Sequence, residues 1–308
     1  MSKTAIQLPH CDTAQPGNTA QPGNISKSDD TSPVGLTRRS FLTRRSFLVG
    51  AAGLALTAAF GCGRSRSTGT AAGPVSGGQG FPTVIVAVFD ISSSTDVAAI
   101  RRRYLADFQT VLSRMGDGAA FLSAYPITAN TEATSIDRIS QPFPDYQPWR
   151  DNPDEYKVNR ARSKAQAVAQ ANRLLTRLQT ARATDLLNAF HDAANVFNGE
   201  DCKGASEKRL VICSDMIEQA GADDFLQEDL TGPRIQQIIA AQRAAGQLPE
   251  LHGVKVWVAG ATADPDGRVR PEKIAQIRRF WIEFFRACGG DLATERYGTV
   301  LTNYPAIS

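Results

Sequence analysis

A chain of 308 residues, 42% of them hydrophobic and 21% charged, is long and apolar enough to bury a globular core. Its formal charge of +3 is not spread evenly: residues 1–61 carry six Lys/Arg and three acids, so residues 62–308 are formally neutral. A nucleic-acid role, which needs net positive surface, loses its compositional support.

Residues 1–36 carry Thr-Ala-Gln-Pro-Gly-Asn twice, at 13–18 and 19–24. Rich in Pro, Gly and Asn, this stretch cannot form a core. It reads as a disordered n-region or as a start assigned too far upstream. Next come Thr37-Arg38-Arg39-Ser40-Phe41-Leu42 and a second copy, Thr43-Arg44-Arg45-Ser46-Phe47-Leu48. Each copy resembles the bacterial twin-arginine export motif. Leu48 to Phe60 follows without a charge, too short for a membrane span of about 20 residues and suited to a cleavable signal. Residues 37–61 are thus expected to direct export to the cell envelope. Ala59-Phe60-Gly61-Cys62 resembles a lipobox, which implies lipidation of Cys62 and a membrane anchor. Cleavage near Ala58 or Ala59, leaving a soluble protein, is the alternative. The Gly/Ser/Thr-rich residues 62–80 fit a flexible tether, which leaves 81–308 as the folded domain.

Within that domain, 84–89 is a continuous apolar run, as in a strand buried on both faces. Residues 97–112 show helical spacing, 119–127 reads as a strand, and 134–139 as a short polar edge strand. The proline-rich 141–154 is a predicted loop. A helix over 155–178 carries Lys157, Arg160, Arg162, Lys164, Arg173 and Arg177, read as a solvated face. Helices at 185–197, 233–245 and 271–287 alternate with strands at 209–213, 254–259 and 295–301. Such alternation predicts an α/β fold: a doubly wound, mainly parallel sheet flanked by helices, with one short antiparallel edge strand. Cys213 lies in an apolar run and reads as a small buried hydrophobe. Cys202 and Cys288 are open to a disulfide in an exported protein or to remaining separate.

Ligands in such sheets gather at the carboxyl ends of strands. Two apolar strands end there in acids, Asp90 and Asp215. The first continues as Asp90-Ile91-Ser92-Ser93-Ser94, a turn whose hard oxygens suit Mg²⁺ or Ca²⁺. A serine cluster that merely caps the next helix is the bland reading.

With Thr184 ahead of the helix at 185 and Asp215 after the strand at 209–213, the chain resembles the von Willebrand factor A family. That family's metal-ion-dependent adhesion site carries Asp-x-Ser-x-Ser, a Thr and an Asp in this order. The resemblance implies a divalent ion (Mg²⁺, or Ca²⁺ or Mn²⁺) held by Asp90, Ser92, Ser94, Thr184 and Asp215. One coordination position would stay open for an acidic side chain of a protein partner. Met216 stands where many members have Gly, and Asp96 and Asp185 flank the site. The expectation is a non-enzymatic binding module. The alternative is a metal-dependent hydrolase of phosphatase type built on Asp90, although neither a Gly-x-Ser-x-Gly elbow nor a Gly-rich phosphate loop is present. His191 and His252 are expected to be structural.

Overall fold

The computed structural model describes residues 80–129, 137–177, 183–220, 224–261 and 269–307. The twin-arginine leader, Cys62 and the tether up to residue 79 lie outside the described residues. Among the described residues six strands form one sheet: β1 (Thr83–Asp90), β2 (Ala120–Ile127), β3 (Ile139–Phe143), β4 (Glu207–Cys213), β5 (Val254–Ala259) and β6 (Tyr297–Gly298). Their order is β3-β2-β1-β4-β5-β6, parallel throughout except for the antiparallel edge pair β2–β3. Among the described residues five helices pack on it: α1 (Ala98–Ser113), α2 (Pro153–Thr176), α3 (Leu186–Asn198), α4 (Gly232–Ala244) and α5 (Pro271–Ala287). This is the predicted α/β architecture.

Alternation along the strands explains the two layers. Val84, Val86 and Val88, with Leu210, Ile212, Val256 and Val258, join the core that holds α3, α4 and α5. Ile85, Ala87 and Phe89, with Val211, Cys213 and Trp257, join the core that holds α1 and α2. Every β1 residue is therefore buried, and its sequence is a continuous apolar run rather than an alternating one. The first core is aromatic-rich: Phe190 meets Trp281 edge-on at 5.4 Å, and Phe225 meets Phe280 at 4.5 Å.

On the other face the tail of the chain helps to cover β4 and β5. Tyr304 packs edge-on against Trp257 at 5.0 Å, and Ile307 bridges to Met115. Arg209 of β4 is buried beneath the tail and donates to the carbonyls of Pro305 (2.8 Å) and Ala306 (3.2 Å).

Two expectations need correction. The edge strand is 139–143 rather than 134–139 (130–136 lie outside the described residues), and it contains Pro142, opposite Phe121. An edge strand tolerates a proline, since one of its sides needs no ladder bonds. The strand expected at 295–301 is a 3-10 turn (Thr294–Arg296) followed by the two residues of β6. Pairing then passes into loops, where Gly260 N donates to Thr299 O, and the Leu301 N–H turns away to the Asp107 carboxylate at 3.1 Å. Of the two possibilities left open for Cys202 and Cys288, the structure has both as buried free thiols. Burial pushes the Cys288 thiol up to about 12.

Candidate metal site

The β1–β4 register pairs Phe89 with Cys213, so Asp90 and Ser214 emerge level at the carboxyl end of the sheet. The Asp90 carboxylate is wholly buried and accepts from Ser92 N (2.9 Å, Oδ1) and from Ser214 Oγ (2.8 Å, Oδ2). Thr95 Oγ1 donates back to the carbonyls of Asp90 (2.9 Å) and Ser92 (3.1 Å), which curls Ser93–Thr95 into a 3-10 turn. The curl brings Ser92 Oγ and Ser94 Oγ within 2.9 Å of each other. Neither serine caps a helix: α1 begins after Val97 with no side-chain cap, and Ser92 makes no cap bond to the 3-10 turn. The hydroxyls are thus not spent on the role that most often explains a serine-rich turn.

Thr184 precedes α3, whose first turn is capped by Asp185 through Asn188 N (3.3 Å). The Thr184 side chain is fully buried, and its Oγ1 has no hydrogen-bond partner among the described residues. Its carbonyl accepts from Gln219 N at 3.1 Å, which ties this loop to the one carrying Asp215. A second tie is Glu218, almost fully buried. Its Oε2 accepts from Leu186 N (2.8 Å) and Leu187 N (3.2 Å), and its Oε1 from Ala220 N (2.9 Å).

The third piece is Ser214-Asp215-Met216. Met216 has φ 65°, the left-handed region that L side chains avoid and glycine adopts freely. The conformation is held from both sides. Met216 N donates to Ser214 Oγ at 2.9 Å, and Trp281 Nε1 donates to Met216 O at 2.8 Å. Asp215 Oδ1 accepts from Ile217 N at 3.0 Å. Asp90, Ser92, Ser94, Thr184 and Asp215 thus lie on three loops laced together by hydrogen bonds at one end of the sheet.

The electrostatics of that end are unbalanced. Burial raises the Asp90 pKa above the usual carboxylate range, against the opposing pull of its bonds to Ser92, Ser214 and Thr95. No Lys or Arg pairs with Asp90 among the described residues. Arg101 comes near, donating to Ile91 O at 3.3 Å, but its charge is shared with Asp96 (3.1 Å) and the carbonyls of Leu175 and Arg177. Beneath the loops, the Tyr104 hydroxyl is buried without a partner among the described residues, and burial together with Asp90 and Asp215 raises its pKa. Gly260, at φ +97°, lets the backbone pass over this tyrosine. A Cβ there would stand 2.7 Å from its hydroxyl oxygen.

These residues fit a hard divalent cation on two counts. A buried carboxylate without a cation costs several kcal/mol unless a positive charge balances it. A buried, unsatisfied threonine hydroxyl on one loop and two serine hydroxyls on another are oxygen donors of the kind Mg²⁺ takes. The set is not an acid or imidazole cage, and no group of three His, Cys, Asp or Glu gathers among the described residues. His191 Nε2 bonds the Gln247 carbonyl and the His252 ring lies against Gly289, both at the opposite end of the strands.

Ser214, Thr95, Glu218 and Tyr104 were not among the residues expected from sequence. Ser214 was within reach, since it separates an apolar strand end from Asp215. No helix among the described residues is long and apolar enough to cross a membrane.

No protein-family model and no curated protein matches the chain. Among solved structures, proximal thread matrix protein 1 from the mussel byssus aligns at 14% identity and a TM-score of 0.33 over 59% of this chain. The pilus adhesin SpaC of Lactobacillus rhamnosus GG aligns at 14% identity and 0.38 over 72% of it. The chain spans 38% and 28% of those two proteins. An aerotolerance-related membrane protein of Bacteroides fragilis aligns at 12% identity and 0.32, covering 72% of this chain and 92% of that one. Likeness this distant says nothing of what the chain binds.

Proposed function

We propose that this protein is an exported von Willebrand factor A-like module that captures a protein partner through a divalent metal ion. The observation that carries the reading is the buried Asp90, which no Lys or Arg among the described residues pairs with, at the head of a loop whose serine hydroxyls cap no helix. The unsatisfied Thr184 hydroxyl supports it from a second loop. In this reading Ser92, Ser94 and Thr184 hold Mg²⁺ through oxygen, and Asp90 and Asp215 balance its charge. A bound divalent ion with few carboxylates around it stays electrophilic, and so attracts a carboxylate from outside. The protein's own part is positional. Thr95 and Ser214 fix the Asp90 loop, and Glu218 locks the Thr184 loop to the Asp215 loop.

The doubled twin-arginine motif and Cys62 supply the setting: export to the cell envelope and anchoring there by lipid. Thermal unfolding with and without Mg²⁺ or Mn²⁺ tests the central claim. At a hundred times the dissociation constant a metal stabilises by about 2.7 kcal/mol, which raises Tm by about 5–10 °C in a domain of this size. The rise should vanish in Asp90→Ala and shrink in Thr184→Val. A wild-type Tm indifferent to divalent ions would remove the basis of the reading.

A further inference from the structure

A groove of about 580 Å³ opens between the start of β3 and the last turns of α2, lined by Asp137, Arg138, Gln170, Arg173, Leu174 and Arg177 among others. β3 runs antiparallel to β2, so its start lies at the same end of the sheet as Asp90 and Asp215. Arg101 spans the distance between groove and metal loop. One guanidinium donates to Ile91 O, next to Asp90, and to Leu175 O (2.9 Å) and Arg177 O (3.1 Å) at the end of α2.

Three guanidinium groups around one groove are a local concentration in a chain whose residues 62–308 are formally neutral. Two of them are engaged: Arg177 with Asp137, and Arg138 with Asp192 at 3.2 Å and with the Tyr125 ring. Arg173 is exposed and forms no ion pair among the described residues. An arginine in the last turn of a helix commonly balances the helix dipole. Here the terminal carbonyls of α2 already take the Arg101 guanidinium, which leaves Arg173 free for another acceptor.

We infer that this groove is a carboxylate subsite, and that the partner offers an acidic peptide segment with one carboxylate for the metal and a second for Arg173. The inference rests on the metal-dependent reading above and extends it to the partner's chemistry. Arginine presents a planar fork that matches a carboxylate in two bonds, so the subsite selects acidic side chains rather than any polar group. Two anchors on one chain also raise affinity beyond either alone.

Calorimetry of the purified protein in saturating Mg²⁺ tests this, with dodeca-glutamate and N-acetylglutamate as probes. The long probe should bind about tenfold more tightly than the short one, and Arg173→Glu should erase that advantage. The same variant should leave the affinities for N-acetylglutamate and for Mg²⁺ itself unchanged, and Arg173→Lys should restore part of the gain. Dodeca-glutamate binding equally well to Arg173→Glu would overturn the subsite, as would equal binding of a 12-mer oligonucleotide. If Mg²⁺ does not bind at all, the metal reading fails separately. The groove is then judged in chelator: residual dodeca-glutamate binding lost in Arg173→Glu supports it, and binding that is absent or insensitive overturns it.

Discussion

Near the amino-terminal ends of the strands, two buried arginines are tied into the backbone. Arg160 donates to the carbonyls of Gly118 (2.9 Å), Pro144 (3.3 Å) and Gly116, and Arg209 to those of Pro305 and Ala306 as well as to Glu207. At the carboxyl ends Arg101 is likewise tied to backbone carbonyls, but the buried carboxyl groups of Asp90 and Glu218 are held by hydroxyls and backbone N–H groups, with no ion pair to either among the described residues. There too lie the unsatisfied hydroxyls of Thr184 and Tyr104 and the positive φ of Met216. One end spends its polar groups on holding the fold. The other keeps backbone strain and buried carboxyl groups that no Lys or Arg among the described residues pairs with, the pattern expected where structure is traded for binding.

The comparison breaks if the amino-terminal arginines prove dispensable. Arg209→Met leaves two tail carbonyls and Glu207 without their partner, and should cost about 3 kcal/mol in urea unfolding, with no change in Mg²⁺ response. A loss under about 1 kcal/mol would mean that the tail is not held there. Met216→Gly probes the other end. It relieves about 1 kcal/mol of backbone strain but removes a fully buried side chain worth about 2–5 kcal/mol, so a net loss of about 2 kcal/mol is expected, with the metal response kept. A variant more stable than wild type would show that strain, not packing, dominates at this turn.

How far such contrasts can be read from sequence depends on where the determining atoms lie. β1 was legible because burial on both faces leaves an unbroken apolar run, and the placement of Asp90, Ser92, Ser94, Thr184 and Asp215 at one end of the sheet because each stands next to a strongly patterned element. Pro142 misled: a proline usually marks a loop, and only its place on an edge strand makes it harmless. The two-residue β6 was hidden because Tyr297 to Leu301 has strand composition while its pairing runs to loop residues. Glu218 was beyond reach for another reason. Its partners are backbone N–H groups of a helix 32 positions earlier in the chain, and backbone donors carry no sequence signal.

Glu218 sharpens the contrast through pH. Burial pushes its carboxyl up from the ordinary 4.5 to about 8, against the pull of three backbone N–H groups. Between those two values the folded protein holds a proton that the unfolded chain has released. Stability measured in chelator should therefore fall as pH rises from 4.5 toward 8, and Glu218's contribution to the slope should be absent below 4.5. Each unit of displacement corresponds to about 1.4 kcal/mol, so the slope is measurable. Glu218→Gln should flatten it by this group's share, with the Asp90 share, of the same sign, persisting. An unchanged slope would show that Glu218 is ionised as a helix cap at neutral pH, and that the end of the sheet carries its full negative charge.

The smallest effect is the most discriminating, because its sign separates the two ends of the molecule. Removing a charge at the amino-terminal end should destabilise, since every bond made by Arg209 favours the fold. At Asp90 the logic reverses. Asn keeps an oxygen for Ser92 N and can donate to Ser214 Oγ, so the hydrogen bonds survive while the uncompensated buried charge disappears. In chelator Asp90→Asn should therefore be more stable than wild type by about 1 kcal/mol, as charged groups kept for binding often are when neutralised. In Mg²⁺ the order should invert, because the wild type gains the metal's stabilisation and the variant does not. Urea midpoints of both proteins, in chelator and in Mg²⁺, decide the matter. If Asp90→Asn is the weaker protein in both conditions, Asp90 is a structural acid, and the two ends of the sheet bury charge for the same purpose.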